Sequence, residues 1–546
     1  MSVCAACGRE LGASESEFCG GCGTSLTSPD KRLCKGCKAV LSPRAKFCGG
    51  CGRAVREAPP QRPMSKVVPD RSNAQATIGV STVSGTFEAV SKAVGPVLYV
   101  APRAQRPFLE PILRGSVAGP NRGNAVWVEA ETALETVQAI LRNDSVRGLE
   151  AICIIGSHDE IPLCKVDDPC GYDEALYTDA FFGMKSTPTF EERFADLTSL
   201  LPEVPVSRIP STRGELVSRL LHAGRRLHRS WRTGLAVSAK VWARATREVI
   251  ESLAADLPVL LSPPTERIAA LHAMGSECGR LLFNCHGTDQ DTVWLGEGDG
   301  SYPELLRPED IAVASNAIVA SEACYGAYPI EAGPSIANAF LEAGASAFFG
   351  STIIAWGAGP GHPPCLADLL AGGVFKHLDD GLPAAYALHQ AKLELIEQNA
   401  NGGFWEPLHN TLLSFVHLGA PLCTARSRTA SQSTSQLQQV REQLRQRLGE
   451  DAWATVASGR ERLDTLRHGQ ANTESVFTHL EALLGTLPES VELRRTRGAS
   501  GEERRSFLLS SKSTPFARCA AVELGADGTV TRLAVSKGAR EASESP

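Results

Sequence analysis

The sequence predicts an α/β fold with a mostly parallel sheet, preceded by two small metal-binding modules and followed by a small α+β unit. Three observations carry this expectation. Short apolar runs alternate with helix-like stretches between residues 95 and 425, which is the pattern of strands connected by crossover helices. Four Cys-x-x-Cys pairs crowd the first 55 residues. Extended runs closed by a hairpin turn fill much of the segment 436–546.

At 546 residues the chain is too long for one core and calls for three or four domains. Hydrophobic content of 43% and charged content of 21% belong to ordinary globular protein. A net charge of -6 gives no general attraction to nucleic acid or to a membrane surface. No apolar stretch approaches the ~20 residues that span a bilayer, and Met1-Ser2-Val3-Cys4 does not begin a secretory signal. Eight of the 17 cysteines sit in metal-type pairs and the rest are scattered, which favours a reducing cytoplasm over a disulfide framework.

Residues 1–55 hold two copies of one pattern. Cys4, Cys7, Cys19 and Cys22 form the first, and Cys34, Cys37, Cys48 and Cys51 the second. Each Cys-x-x-Cys turn sets two thiolates on one side of a metal, and two turns complete a tetrahedron, so two structural Zn2+ ions are expected. The copies share the phrase Phe-Cys-Gly-Gly-Cys-Gly at Phe18–Gly23 and Phe47–Gly52. A segment this short lacks a sufficient core, and zinc would hold it folded. It resembles the double zinc ribbons of many bacterial multidomain proteins. Basic residues outnumber acidic ones nine to five up to Glu57, without interleaved aromatics. Protein contact is therefore the first reading and nucleic-acid binding the second.

Residues 56–80, with Pro59, Pro60, Pro63 and Pro69, read as a linker. The main domain is expected over 81–426. Its strand-like runs are Val97–Val100, Ala125–Val128, Ala151–Ile155, Val204–Val206, Leu235–Ser238, Val259–Leu261, Leu281–Cys285, Ala317–Ser321 and Ala347–Phe349. Helix-like stretches fall at Thr132–Arg142, Glu215–His228, Ala243–Ala254 and Ser335–Ala343. A second polar linker occupies 427–435. Beyond it come helix-like Gln436–Leu448 and Ser475–Leu484, then the runs Val491–Arg495, Ser506–Ser510 and Ala520–Leu524, and a turn at Ala526–Gly528 into Val530–Val535.

Two of these runs end on chemistry. Leu281–Cys285 is followed by His286-Gly287, and Ala317–Ala323 by Cys324-Tyr325-Gly326. Ligands gather beyond the carboxyl ends of parallel strands, where an imidazole and a thiol can form a base–nucleophile pair. Cys285, adjacent to His286, points to the opposite face of an extended run and reads as packing.

Several separated phrases resemble the gingipain-type cysteine peptidases, relatives of caspases. They are Ile154–Pro162, Tyr177–Gly183, Pro202–Pro210, Asn284–Gly287, Glu322–Gly326, Ser335–Thr352 and Phe415–Pro421. Phe182, Ser207 and Ala420 depart from the residues the family carries there. The resemblance covers about three-fifths of the chain and implies a caspase-like α/β/α sandwich with an endopeptidase site. Cys324 would attack a peptide carbonyl, His286 would move the proton, and the N–H groups of Gly287 and Cys324 would receive the oxyanion. Glu160 or His158 would orient His286 if their loop shares its sheet edge; a solvated loop is the alternative. The resemblance further places Asp179 at the base of a pocket for arginine or lysine and Trp356 in its wall. The implied partner is a protein substrate, with the ribbons or the C-terminal unit receiving a target or an activator. A catalytically inactive scaffold and a zinc-ribbon adaptor remain alternatives.

Overall fold

The computed structural model describes residues between Ala89 and Glu541, with longer interruptions at 185–196, 224–232, 268–277, 424–438, 463–479 and 481–489. These residues belong to one compact unit, Ser84–Ser543. The eight ribbon cysteines and the stretch Ser475–Leu484, apart from Leu480, lie outside the described residues, as does part of Gln436–Leu448.

The strands, in chain order, are β1 (Ala89–Val90), β2 (Val97–Pro102), β3 (Gly123–Val128), β4 (Ala151–Ile155), β5 (Cys164–Val166), β6 (Leu176–Thr178), β7 (Val206–Ile209), β8 (Gly234–Ala239), β9 (Val259–Ser262), β10 (Arg280–Asn284), β11 (Trp294–Leu295), β12 (Glu304–Leu306), β13 (Ile318–Ser321), β14 (Ala347–Ser351), β15 (Trp356–Ala358), β16 (Phe415–Gly419), β17 (Ala454–Arg462), β18 (Ser490–Arg497), β19 (Glu503–Ser511), β20 (Phe516–Leu524), β21 (Val530–Ser536) and β22 (Arg540–Glu541). Eleven of them form one sheet in the order β1-β3-β2-β4-β7-β16-β14-β13-β10-β8-β9. Every residue of β4, β8, β10, β13, β14 and β16 is buried. Because successive side chains point to opposite faces, this burial means that both faces are covered, and it explains the unbroken Val/Ile/Leu/Ala runs.

One junction governs where chemistry can occur. The pairs β3/β2, β2/β4, β4/β7 and β7/β16 are parallel, and so are β14/β13, β13/β10, β10/β8 and β8/β9. Between the two sets, β14 and β16 run antiparallel, Ala347 facing Gly419 and Ser351 facing Phe415. Apart from the short edge strand β1, which is antiparallel to β3, the sheet therefore consists of two parallel halves of opposite direction. The carboxyl ends of β4 and β7 lie at one edge, and those of β10 and β13 at the other.

Helices follow local signals where these exist. Thr132 and Glu135 form a capping box on Ala133–Leu141, and Ser335 caps Ile336–Ala343 by accepting from the Asn338 N–H. Helices Ala367–Asp379, Ala384–Gln398 and Trp405–Ser414 escape sequence reading. The first two bury residues around most of their circumference, including Asp368, His389 and Lys392, and so lack the one-sided polar pattern that marks a surface helix. The extended run expected at Val204–Val206 is a strand displaced to Val206–Ile209.

The C-terminal strands form an antiparallel sheet, β15-β21-β20-β19-β18-β17. Its edge strand β15 comes from the segment that carries Cys324, and it pairs with β21 through Trp356–Ser536, Gly357–Val535 and Ala358–Ala534. Among the described residues no helix is long and apolar enough to cross a membrane.

Candidate active site

β10 and β13 are adjacent and parallel, Phe283 beside Ser321, so the segments that follow them emerge together. Gly287 lies against the backbone of Cys324 so closely that a Cβ there would stand 1.8 Å from the Cys324 carbonyl oxygen. Only glycine fits this approach. His286 is fixed by a reciprocal backbone pair with Leu295, both bonds 2.9 Å. Its ring packs on Trp242 with centroids 4.6 Å apart. His286 Nε2 lies 2.8 Å from Glu297 Oε2, and the Tyr302 hydroxyl donates to Glu297 Oε1 at 3.2 Å. An ionised Glu297 accepts, which places the proton on Nε2 and leaves Nδ1 as the basic nitrogen.

Cys324 is fully buried. Its Sγ accepts from the Ala355 N–H at 3.1 Å. Burial pushes the thiol well above its ordinary pKa, against the lowering effect of that hydrogen bond. Tyr325, the next residue, has φ 55°, a left-handed conformation unusual for an aromatic residue. Its hydroxyl donates to Asp173 at 2.7 Å.

The residue that fills the space beside this pair is Lys537, at the end of β21. Its N–H donates to the Ala355 carbonyl at 2.9 Å, which extends the β15/β21 ladder by one step. Its carbonyl oxygen accepts from Gly287 N–H at 3.3 Å and from Cys324 N–H at 3.5 Å. Both bonds are long, but they converge on one oxygen. The side chain passes over Gly357, where a Cβ would stand 2.0 Å from Lys537 Cε. Lys537 Nζ donates to Asn284 Oδ1 at 2.7 Å and to Glu322 Oε2 and Asp368 Oδ1. The Trp242 ring lies 5.1 Å from Nζ.

None of the Lys537, Glu322 and Asp368 side chains reaches solvent. Burial drives Glu322 well above the usual carboxylate range, although the ammonium opposes this. For Asp368 the same burial is outweighed by Lys537 and the hydrogen bonds of Glu322 and Cys365, and its pKa falls. Burial acts to lower Lys537, but the two carboxylates prevail and raise it. One cation thus holds two carboxyl groups together in a dry pocket.

The sequence expectations divide accordingly. His286, Gly287 and Cys324 lie on the adjoining segments that follow β10 and β13, with Gly287 against the Cys324 backbone. Glu160 does not join them: it accepts from Ser157 N–H at 3.0 Å and from the Thr212 hydroxyl at 2.6 Å. It follows β4, whose carboxyl end lies at the opposite edge because of the β14/β16 reversal, and Glu297 occupies the orienting position instead. His158 is likewise engaged elsewhere, accepting from the Leu163 N–H at 3.2 Å. Asp179 is not the base of the pocket that holds Lys537. It forms a buried two-pronged ion pair with Arg208, at 2.7 and 3.0 Å, whose remaining arm donates to the carbonyls of Gly156 and Ile161, each at 2.8 Å. Trp356 is fully buried and contributes its backbone to the β15/β21 ladder, with its ring 5.9 Å from that of Tyr172. Cys285 is buried packing, its thiol raised by desolvation.

Sequence reasoning missed Glu322, Asn284, Asp368, Glu297 and Lys537, whereas the Gly357–Pro364 loop is expected from the sequence as a pocket rim. Two of these carried a signal. Asn284 stands two residues before His286 and Glu322 two before Cys324, the spacing that sets side chains on the same face of an extended run. The other three are joined to the site only by the fold.

Residues 4–52 match the double zinc ribbon family. The solved structures similar to this chain, nine matching chains in all, include two of gingipain. One is described as the Arg-specific cysteine proteinase gingipain R (RGPB), 12% identical over 83% of this chain and 99% of that one, with a TM-score of 0.46. The other is the complex of Porphyromonas gingivalis RgpB pro- and mature domains, 10% identical over 82% of this chain and 100% of that one, also with a TM-score of 0.46. No curated protein matches the chain.

Proposed function

We propose that this chain is a cysteine endopeptidase that cleaves after a basic residue, with Cys324 as nucleophile and His286 as its acid–base partner. The observation that carries the reading is the seating of Lys537. A residue with its N–H on Ala355, its carbonyl on Gly287 and Cys324, and its ammonium on Glu322 and Asp368 has the bearing of a residue whose following peptide bond is attacked. A substrate would lie antiparallel along β15, which supplies main-chain hydrogen bonds without regard to side chain. His286 Nδ1 would take the proton of Cys324, and the thiolate would add to the carbonyl carbon. The two N–H groups would hold the oxyanion, and the imidazolium would return the proton to the departing amine. Water would then release the acyl group by the same route in reverse.

Selection for a cation follows from the pocket. A neutral side chain would leave two carboxyl groups buried together without their counter-ion, a loss of about 3–5 kcal/mol. Glu322 Oε1 is buried and has no hydrogen-bond partner among the described residues. The second arm of a guanidinium would meet it, so arginine should be accepted at least as well as lysine.

The test is a panel of fluorogenic peptides differing only at the residue before the cut, offered to the full chain carrying Lys537→Ala. Lysine and arginine peptides should be cleaved, and methionine and glutamate peptides should not. Added Cys324→Ala or His286→Ala should remove turnover. Turnover that survives Cys324→Ala, or preference for an acidic residue, overturns the reading.

For the ribbons, four Cys-x-x-Cys pairs within residues 4–52 supply eight thiolates, the donor set of two tetrahedral zinc sites. Cys4, Cys7, Cys19 and Cys22 would hold one ion, and Cys34, Cys37, Cys48 and Cys51 the other. The metal would supply folding energy to the ribbons and no step of the peptidase chemistry. Among the described residues no cluster of histidine, cysteine or carboxylate side chains forms a further metal site. A protein target delivered by the ribbons fits the peptidase reading.

A further inference from the structure

The occupant of the cleft is part of this same chain. We propose that Val530–Lys537 is an internal substrate strand that closes the cleft of the resting protein, and that Cys324 cuts the chain after Lys537. The proposal rests on the peptidase reading and adds to it a regulatory state and a first substrate.

Three features meet in this strand. The backbone register continues the β15 ladder up to the Ala355–Lys537 hydrogen bond. The carbonyl that would be attacked is the one on which the Gly287 and Cys324 N–H groups converge. The side chain reaches the carboxyl groups at the end of the pocket, and Gly357 keeps the path of its methylene stem clear, since a Cβ there would stand 2.0 Å from Lys537 Cε. A strand docked only to bury apolar surface would need the first feature and neither of the others.

The strand is also held from its other side. β21 pairs with β20 from Ala520–Val535 to Leu524–Val530. Leu533 and Val535 lie in the apolar cluster of the C-terminal sheet, with Leu493, Phe507 and Val522. Arg532 donates to Asn399 Oδ1 at 2.8 Å, and the Tyr172 hydroxyl to the Leu509 carbonyl at 3.0 Å. The inhibitor is therefore preassembled and tethered, and an external peptide competes with an effective concentration in the millimolar range.

In the cut, the Cys324 thiolate adds to the Lys537 carbonyl carbon. The bond from that carbon to the nitrogen of Gly538 breaks, and His286 protonates the departing amine. A thioester joins Cys324 to Lys537 until water hydrolyses it to a Lys537 carboxylate and a free thiol. The products are a chain ending at Lys537 and the peptide Gly538–Pro546. Because β21 stays paired with β20, the cut alone does not empty the pocket.

The test uses the full chain as wild type, Cys324→Ala, Lys537→Ala and Lys537→Gln, followed by intact mass and by turnover of a lysine peptide. Wild type should lose the mass of Gly538–Pro546 at a rate independent of protein concentration, while Cys324→Ala keeps its full mass. Lys537→Ala should stay uncut and turn over the lysine peptide at least about tenfold faster than wild type, because the tethered competitor has lost its anchor. Lys537→Gln, close to lysine in size, gives the same answer should the alanine variant fold poorly. A wild type that stays intact and turns over the peptide as fast as Lys537→Ala overturns the proposal while leaving the peptidase reading standing. Cutting that accelerates with concentration overturns the tethered route. Absence of both cutting and peptide turnover in either well-folded Lys537 variant overturns the peptidase reading itself.

Discussion

Lys537 and Glu322, 215 residues apart in sequence, form an ion pair in which neither side chain reaches solvent. Glu322 stands two residues before the candidate nucleophile, so on the proposed reading the segment that follows β13 would present both the thiol and a carboxyl group that reads the target. Recognition and chemistry would then share one short segment, which limits how far the pocket can drift from the reacting bond.

Gly357→Ala should act on the pocket and leave the dyad untouched. Its methyl would occupy the path of the lysine stem, 2.0 Å from Cε. In a Lys537→Ala background, kcat/KM for lysine peptides should fall by on the order of a hundredfold. Labelling of Cys324 by a small alkylating reagent should persist, and joint loss of labelling and turnover would place the effect in the fold instead.

Glu297→Gln should lower kcat with little change in KM, since its carboxylate is held between His286 Nε2 and the Tyr302 hydroxyl, away from the Lys537 ammonium group's partners. A loss of about ten- to a hundredfold is expected, as for other partners that fix a catalytic imidazole. The pH profile separates this from a packing defect, because the acidic limb of kcat should move to lower pH when the imidazolium loses its counter-ion. Glu160→Gln should match the parent enzyme in both parameters.

How much of this was legible in the chain can be judged from particular residues. The runs before His286 and Cys324 were readable because strands buried on both faces must be apolar from end to end. Asn284 and Glu322 were also within reach, as polar residues in otherwise apolar runs and in register with the catalytic pair. The expectation that Glu160 or His158 lies beside His286 fails for one physical reason. An antiparallel contact between β14 and β16 reverses the sheet, and nothing local in either strand announces it. Asp368 was hidden in a helix buried around most of its surface. Lys537 was hidden because an ordinary hairpin strand carries no mark of where it docks.

Asp179→Ala should damage stability rather than specificity. It would strand the Arg208 guanidinium, which is buried with Asp179 in a bidentate pair. Loss of one partner of such a pair costs about 3–5 kcal/mol. Denaturant unfolding should reveal it, and replacing both residues with apolar ones of similar volume should recover most of the loss. The preference for basic peptides should remain in whatever fraction folds.

His417 predicts acid lability. It stacks on Phe349 with centroids 4.7 Å apart, and neither ring nitrogen has a hydrogen-bond partner among the described residues. Burial lowers its pKa to about 3. The unfolded chain therefore binds a proton that the folded chain refuses between about pH 6.5 and about pH 3. Its contribution to stability is complete above the upper value and declines as pH falls through this window. His417→Phe should flatten that part of the stability profile, measured by urea unfolding at a series of pH values.

Zinc content tests the pairing of the ribbon cysteines. Cys22→Ser and Cys51→Ser should each lower the metal by about one ion per chain, and the double variant by about two, as one tetrahedral ion needs four thiolates. Equal loss of both ions from either single variant would show that the two Cys-x-x-Cys sets are not separate sites.

The strand Trp356–Ala358 has one further consequence. It ends its sheet, and β21 pairs with it along its inner side. Once uncovered, its N–H and C=O groups would offer a template to any extended chain, a second copy of the protein included. On the proposed reading, the strand that fills the cleft would also limit self-association, and a population with β21 undocked should show its first weakness in solubility.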